Sequence, residues 1–303
     1  MPNNQRVRVG IDVGGTFTKA VAIDVKTGSI ISKSTVPTTH SSERGVSEGI
    51  VQTISNILND SEIELKNIEL ISHSTTQAIN ALLESDTSKV GIIAMGVGPE
   101  KKDVIKRTNL QDTKINFDQD IRTCHAFLDT SHLISEEEVK TTIKNLQSKG
   151  AKVIVATESF GVDDPSNELF VMKNAADLNI PSTASHEISG TYGLEIRTLT
   201  GAINASVLPK TFQVANFVEQ AIRDAGINAP LMIMKGDGGV TSMDTFKTKP
   251  VLTILSGPAA SVAGALLHLK ITNGIFVEVG GTSTNICIIK NGKPEFQYVT
   301  IKD

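Results

Sequence analysis

A short loop of one acidic residue, two glycines and a threonine occurs twice in this chain, once near each end. The first copy reads 10-GIDVGGTFTKAVAI-23 and the second 276-FVEVGGTSTNICII-289. Asp12 aligns with Glu278, Gly14-Gly15-Thr16 with Gly280-Gly281-Thr282, and Thr18 with Thr284. Apolar residues alternate on either side of each loop, the period of a half-buried strand. Each copy is therefore expected to be a strand, a turn that draws on the freedom of glycine to adopt positive φ, and a returning strand. A chain that carries the unit at both ends is constrained to build two related hairpins.

Such a turn exposes backbone N–H groups with no side chain in the way, and successive N–H groups make a cradle for anions. The hydroxyls of Thr16, Thr18, Thr282, Ser283 and Thr284 add donors. Asp12 and Glu278, two residues before the glycines, are suited to hold a divalent cation beside bound phosphates. One Gly-Gly hairpin alone would be an ordinary tight turn. Two matching copies point instead to a pair of jaws on one nucleotide, with Gly14, Gly15, Thr16, Thr18 and Lys19 on one side and Gly280 to Thr284 on the other. The GxxxxGK[ST] loop is absent, and a strand rather than a helix follows the glycines, which excludes the dinucleotide turn.

Between the hairpins, helical and strand periods alternate. Val46, Ile50, Ile54, Ile57 and Leu58 are spaced for an amphipathic helix. The runs 68-IELISHS-74 and 89-KVGIIAMG-96 read as strands, with a helix over 75–84 after the first. A capping box, Ser135 with Glu138, opens a helix that Gly150 stops, and 152-KVIVATES-159 follows as a strand. Another helix opens at Ser166. A long helical stretch runs from about Thr191 to Ala225, with an interruption expected at Pro209. A strand over 231–235, the turn 236-GDGG-239, a strand over 251–256 and a small-residue helix over 258–269 precede the second hairpin. This alternation is that of an α/β protein.

Lys and Arg number 29 against 33 Asp and Glu, a net charge of 29 − 33 = −4, which argues against nucleic acid or an anionic membrane as partner. Two distant cysteines and no apolar leader fit a reducing, cytoplasmic setting.

The paired hairpins resemble the two phosphate loops of the actin, sugar-kinase and Hsp70 superfamily. Within it the chain is similar to the amino-terminal portion of the hydantoinase/5-oxoprolinase family. The stretches that carry the likeness are 10-GIDVGGTFTKAV-21, 73-HSTTQAINALLE-84, 185-SHEISGTYGLEIRT-198, 232-MIMKGDGGVTS-242, 250-PVLTILSGPAASVAGA-265 and 278-EVGGTSTNICII-289. The resemblance implies a ribonuclease-H-like fold: a mixed five-stranded sheet with helices on both faces, and a second, duplicate domain only partly present. It divides the chain into residues 1–185, with the first phosphate loop, and 186–303, with the second. It implies ATP and Mg²⁺, with Asp12 and Glu278 as metal ligands and as catalytic residues with His73, and a cyclic amide such as a hydantoin or 5-oxoproline as substrate. His73, Thr75, Thr76 and His186 would lie toward that substrate. ATP would phosphorylate the amide oxygen so that water can open the ring. Two alternatives stay open: a small-molecule kinase, and an ATP-binding subunit without turnover. A second subunit or a homo-oligomer is also left open.

The sequence departs from the family at three places, where the family usually has Asp for Glu278, Asp for Asn285 and Gly for Ser74. The resemblance also implies further helices and a Gly-rich adenosine loop after the second hairpin, so a truncated or short member is expected. Four other features admit a plainer reading. His186-Glu187 is a metal ligand or general base, or a solvated pair. Asp237 reads best as a turn residue, and Ser256-Gly257-Pro258 as a helix start facing phosphate or allowing close packing. Cys124-His125 is discounted as a nucleophile pair, since sequence neighbours rarely face each other.

Overall fold

The computed structural model describes residues 6–39, 46–60, 63–110, 113–116, 119–280 and 284–295. The chain runs through β1 (Val7–Val13), β2 (Phe17–Asp24), β3 (Ile30–Pro37), α1 (Ser47–Asp60), β4 (Ile68–Thr75), α2 (Gln77–Leu83), β5 (Val90–Gly96) and α3 (Lys101–Thr108). It continues through β6 (Thr113–Asn116), β7 (Gln119–Ile121), β8 (Thr123–Asp129), α4 (Glu136–Ser148), β9 (Val153–Glu158), α5 (Ser166–Asp177), β10 (Ser182–Ala184) and α6 (Ser185–Ile188). After α7 (Leu194–Asp224) come β11 (Leu231–Met234), β12 (Val240–Ser242), α8 (Met243–Thr248), α9 (Ser256–Leu269), β13 (Gly274–Val279), β14 (Thr284–Lys290) and β15 (Lys293–Pro294).

Contacts group these elements into two units rather than at a single seam. The first comprises Met1–Thr76, Val214–Phe246 and Leu252–Asp303, and the second Gln77–Gln213 and Lys247–Val251.

The first unit holds a six-stranded sheet in the order β12-β11-β4-β1-β2-β3. This corrects the expected five strands; the extra one is β12, which turns back on β11 across 236-GDGG-239, with Lys235 N donating to Gly239 O at 2.8 Å. β1 runs antiparallel to β2 and parallel to β4. Val7, Val9, Ile11 and Val13 all face one side, against Ile50, Ile54 and Ile57 of α1 and Ala215, Val218 and Ile222 of α7. Each such isoleucine contributes about 1.5–3 kcal/mol when buried, so this face fixes the register of β1. Arg8, Gly10 and Asp12 are turned to the other face.

In the same unit β13, β14 and β15 form a small antiparallel sheet. Ile275, Val277 and Val279 stand opposite Ile288, Ile286 and Thr284 on one face, and all five aliphatic side chains are exposed, from 51% at Ile288 to 77% at Val279. Their counterparts by sequence in the first hairpin, Val9, Ile11, Val13, Ala20 and Ala22, are buried.

The second unit holds a four-stranded parallel sheet, β10-β9-β5-β8. β5 and β9 are buried along their whole length, as strands covered on both faces must be. One face packs on Val139, Ile143 and Leu146 of α4 and Val171 and Ala175 of α5, the other on Ala202, Ala205 and Leu208 of α7. The expected cap is formed: Ser135 Oγ accepts from Glu138 N at 3.2 Å.

Two expectations fail locally. α7 is not interrupted at Pro209 but runs on to Asp224. Losing one N–H and crowding the carbonyl four residues back costs about 3 kcal/mol, which burial of Ala205, Val207 and Leu208 before it and Ala215 and Val218 after it offsets. Residues 251–256 are not a strand: Pro250–Thr253 is a 3-10 turn, Leu255 has φ 62°, and α9 begins at Ser256. A short apolar run has no period of its own, and here its backbone is turned to deliver Ser256 to β4. Among the described residues no helix is long and apolar enough to cross a membrane.

Candidate functional site

Asp12 leaves β1 beside the turn, on the face opposite the one that carries Val9, Ile11 and Val13. In the parallel pair β1–β4 its partner is Ser74, and Ser74 Oγ donates to Asp12 Oδ1 at 2.5 Å. Among the described residues Oδ2 has no hydrogen-bond partner. α9 starts against the same carboxylate: a Cβ added to Gly257 would lie 3.7 Å from Oδ1. Ser256 seats that helix end, accepting from Thr75 N at 3.3 Å and donating to Thr75 O at 3.0 Å. The first turn of a helix presents unpaired N–H groups and a partial positive charge, so Asp12 and the α9 terminus together suit a metal-bound anion.

The turn itself is held without left-handed glycines, contrary to expectation: neither Gly14 nor Gly15 adopts positive φ. Gly14 N donates to Phe17 O at 3.0 Å, and a Cβ at Gly14 would come within 3.2 Å of that carbonyl. At Gly14 it is this close approach that requires glycine. Thr38 fastens the loop from β3, with its hydroxyl on Gly14 O at 2.8 Å and its N–H on Thr16 O at 2.9 Å. Gly15, Thr16 and Lys19 are exposed, and Lys19 stands opposite Asp12 in the β1–β2 ladder, hence on the same face.

Thr18 is not brought to that face. It is fully buried opposite Val13, against Gly49 of α1, and its hydroxyl lies 3.3 Å from Thr38 Oγ1. His73 and Thr75 share this fate, because they pair with Ile11 and Val13 on the core side. His73 is 1% exposed, its Nδ1 has no partner, and burial pushes its pKa down to about 4. Thr76 Oγ1 donates to Val13 O at 3.2 Å. The residue that reaches Asp12 is thus Ser74, one position from the two singled out in the sequence, where a shift of one reverses the face.

In the second hairpin Glu278 is partly buried between two donors. Ser261 of α9 reaches its Oε1 at 2.9 Å and Asn285, its partner across the ladder, reaches Oε2 at 3.3 Å. Ser261 follows Gly257 by one helical turn, a rise of about 6 Å. Both acids therefore flank α9, Asp12 at its first turn and Glu278 at its second. Gly280 and Thr284 are exposed; Gly281, Thr282 and Ser283 lie outside the described residues.

Asp237 is a turn residue, accepting from Gly239 N at 2.8 Å and Lys235 Nζ at 2.7 Å. His186 belongs to the second unit, and its partner is not Glu187, which lies 3.5 Å from Lys249, but the buried Glu168. The Cys124-His125 pair is indeed separated: His125 Nε2 bonds Thr108 Oγ1 at 2.8 Å, while Cys124 Sγ approaches Leu146 O. Ser74 and Ser261 lie inside the stretches that carry the family likeness but were given no role there, and Glu168 lies outside all of them; strand register would have found Ser74.

A magnesium ion takes few carboxylates and completes its shell with water and phosphate. Asp12, with one free oxygen, fits that role directly. Glu278, with both oxygens engaged, fits it only through water or by releasing a partner. Among the described residues no three His, Cys, Asp or Glu side chains gather as a closed metal site.

Residues 8–178 match the family described as hydantoinase/oxoprolinase N-terminal region, and residues 197–302 match hydantoinase/oxoprolinase. The caprolactamase subunit alpha of Pseudomonas jessenii is 25% identical over 317 residues, covering 97% of this chain and 45% of that protein. Two solved structures share the fold. One is a nucleotide-free acetone carboxylase from a study of ATP-dependent acetone carboxylation, with TM-score 0.76, 19% identity, 96% of this chain and 46% of the other. The second is the ATP-dependent caprolactamase from Pseudomonas jessenii, with TM-score 0.68, 23% identity, 93% of this chain and 43% of the other. The chain spans less than half the length of each of these relatives. With family matches over nearly the whole of its length, the chain belongs to the hydantoinase/oxoprolinase family.

Proposed function

We propose that this chain is the ATP-binding part of an enzyme that opens a cyclic amide at the expense of ATP. The observation that carries the reading is Asp12, tethered by Ser74 and set against the first turn of α9, with the exposed Gly15-Thr16 turn beside it. Family membership and the ATP-dependent relatives support it. The order β3-β2-β1-β4-β11, with only β2 running against its neighbours, favours a ribonuclease-H-like sheet of the actin-like ATPases. In that reading the two hairpins are the phosphate loops of a duplicated fold.

Phosphoryl transfer asks a protein mainly for positioning and charge neutralisation. The α9 terminus and the first hairpin would hold the phosphates, Lys19 would add a positive charge on the same face, and Asp12 would hold Mg²⁺, with Glu278 beyond it. Bound Mg²⁺ supplies neutralisation of the charge that develops on the transferred group. Phosphorylating the amide oxygen turns a poor electrophile into an imidate that water can attack. The substrate class is a lactam or hydantoin, and the reaction belongs in the cytoplasm.

The test is to supply the whole protein with MgATP and 5-oxoproline, hydantoin or caprolactam, and to count ADP against ring-opened acid. Equal amounts support amide opening. A stable phosphorylated product in place of the acid would establish a kinase instead. A second reading, an ATP-binding subunit that turns over only with a partner, is favoured by the relative named as a subunit. It predicts MgATP binding without ADP release until the partner is added.

A further inference from the structure

Ser74 is buried, and its place is fixed by its neighbours in β4. His73 and Thr75 pair with Ile11 and Val13 and are buried with them on the core side. A slip of one residue would reverse all of these faces, so the register is locked. In that register Ser74 stands opposite Asp12, on the face that the carboxylate shares. Ser256 pins the strand one residue further on, accepting from Thr75 N and donating to Thr75 O.

The Ser74 hydroxyl has one proton to give. Asp12 Oδ1 lies 2.5 Å from it and Ile11 O lies 3.5 Å away, at the limit of a hydrogen bond. The proton therefore goes to the carboxylate, in a bond of the stronger, charge-assisted kind. Were Asp12 to turn away, the buried hydroxyl would be left with that distant carbonyl alone, which is costly. Ser74 thus holds Oδ1 and leaves Oδ2, which has no partner among the described residues, as the oxygen open to a cation. The second hairpin supplies the contrast, for Glu278 has both oxygens engaged, by Ser261 and Asn285.

A carboxylate with one oxygen to offer does not suit every ion equally. Mg²⁺ is small, needs near-ideal octahedral geometry and combines one or two carboxylates with water and phosphate. Ca²⁺ gathers about six to eight oxygens in a flexible shell, often both oxygens of one carboxylate.

We propose that Ser74 is a positioning residue that makes the Asp12 site selective for Mg²⁺ over Ca²⁺, by restricting Asp12 to a single metal-binding oxygen. Binding of an ion with its nucleotide here rests on the function proposed above; the hydrogen bond that restricts Asp12 does not. An ion that takes both oxygens must break the bond to Ser74, whereas one that takes Oδ2 alone leaves it whole. The loss therefore falls on Ca²⁺. Groups that hold a metal-binding side chain in place typically change affinity by about 10–100-fold.

The test is calorimetric titration of the protein with ATP in saturating Mg²⁺ and, separately, in saturating Ca²⁺, with the thermal midpoint recorded for each variant. The native protein is expected to bind ATP about tenfold more tightly with Mg²⁺. In Ser74→Ala the Mg²⁺ value should weaken by about tenfold and the Ca²⁺ value by less than about threefold, so that the preference is lost. Ser74→Cys keeps the volume but is a weak donor, and should show the same loss should the alanine variant fail to fold. A serine that served only the fold would move both values together. Such a parallel shift, or an undiminished preference for Mg²⁺ in the folded variants, would overturn the proposal. Native binding of ATP with no preference between the two ions would overturn it as well, and would leave the ATP reading standing. Native protein that binds ATP with neither ion would remove that reading and the selectivity together.

Discussion

Ser256 and Thr75 hold each other twice: the serine hydroxyl accepts from the threonine N–H at 3.3 Å and donates to its carbonyl at 3.0 Å. Both residues are buried, and they join the end of β4 to the start of α9 across 181 positions of sequence. Removing the hydroxyl deletes two buried hydrogen bonds, each worth about 0.5–1.5 kcal/mol. Ser256→Ala should therefore lower the urea midpoint by an equivalent amount without changing the slope, and should weaken MgATP binding in parallel. Unchanged stability would mean that α9 is seated by other contacts.

Asp12 carries the proposed metal contact at little structural cost, since among the described residues its one hydrogen-bond partner is Ser74. Asp12→Asn keeps the shape and removes the charge. Calorimetric titration should show MgATP affinity falling by about tenfold or more, as one charged contact is worth 1.4 kcal/mol and upward. Thermal unfolding should hardly move. Native affinity in this variant would take Asp12 out of the site.

His73 makes stability depend on pH. Burial holds its folded-state pKa near 4, below the ordinary 6.5, so on acidification the unfolded chain takes up the proton first. Its contribution is full above about pH 6.5 and is lost as pH falls toward 4, on the order of 3 kcal/mol in all. His125, pushed to about 4 by burial and then by Lys149, acts in the same direction. Urea titrations between pH 4.5 and 7 should slope upward in the native protein and less steeply in His73→Asn; parallel slopes would rule out His73 as the source.

Gly236 shows how tightly the GDGG turn meets the segment before α9. Its N–H donates to Leu252 O at 2.8 Å, and a Cβ there would overlap the carbonyl of Ile254. Backbone cannot step aside as a side chain can, so Gly236→Ala should cost about 1–3 kcal/mol or more. Gly15→Ala, with nothing within 4 Å of the added carbon, should be nearly neutral in stability. Equal denaturation midpoints for the two variants would contradict the geometry.

Both hairpins, the α1 stripe, the capping box at Ser135 and the β9 strand were legible because each is written in a local period or a local pair. What escaped was decided at a distance. Pro209 reads as a break until the burial on either side of it is known. The run 251–256 reads as a strand until Ser256 is seen to bond Thr75. His73 and Thr75 looked like ligands by their chemistry, yet pairing with Ile11 and Val13 turns them into the core and puts Ser74 on the face of Asp12. Glu168 lies on a helix with no motif, 18 positions from the histidine it orients.

The repeated hairpin has one last implication, at Ile275, Val277, Val279, Ile286 and Ile288. The earlier copy of that surface is roofed by α1 and α7, whereas this one meets water. Water penalises a contiguous aliphatic sheet of this kind, and concentration favours whatever hides it. Light scattering of these 303 residues alone should therefore climb with protein concentration, and Val277→Lys should suppress the rise.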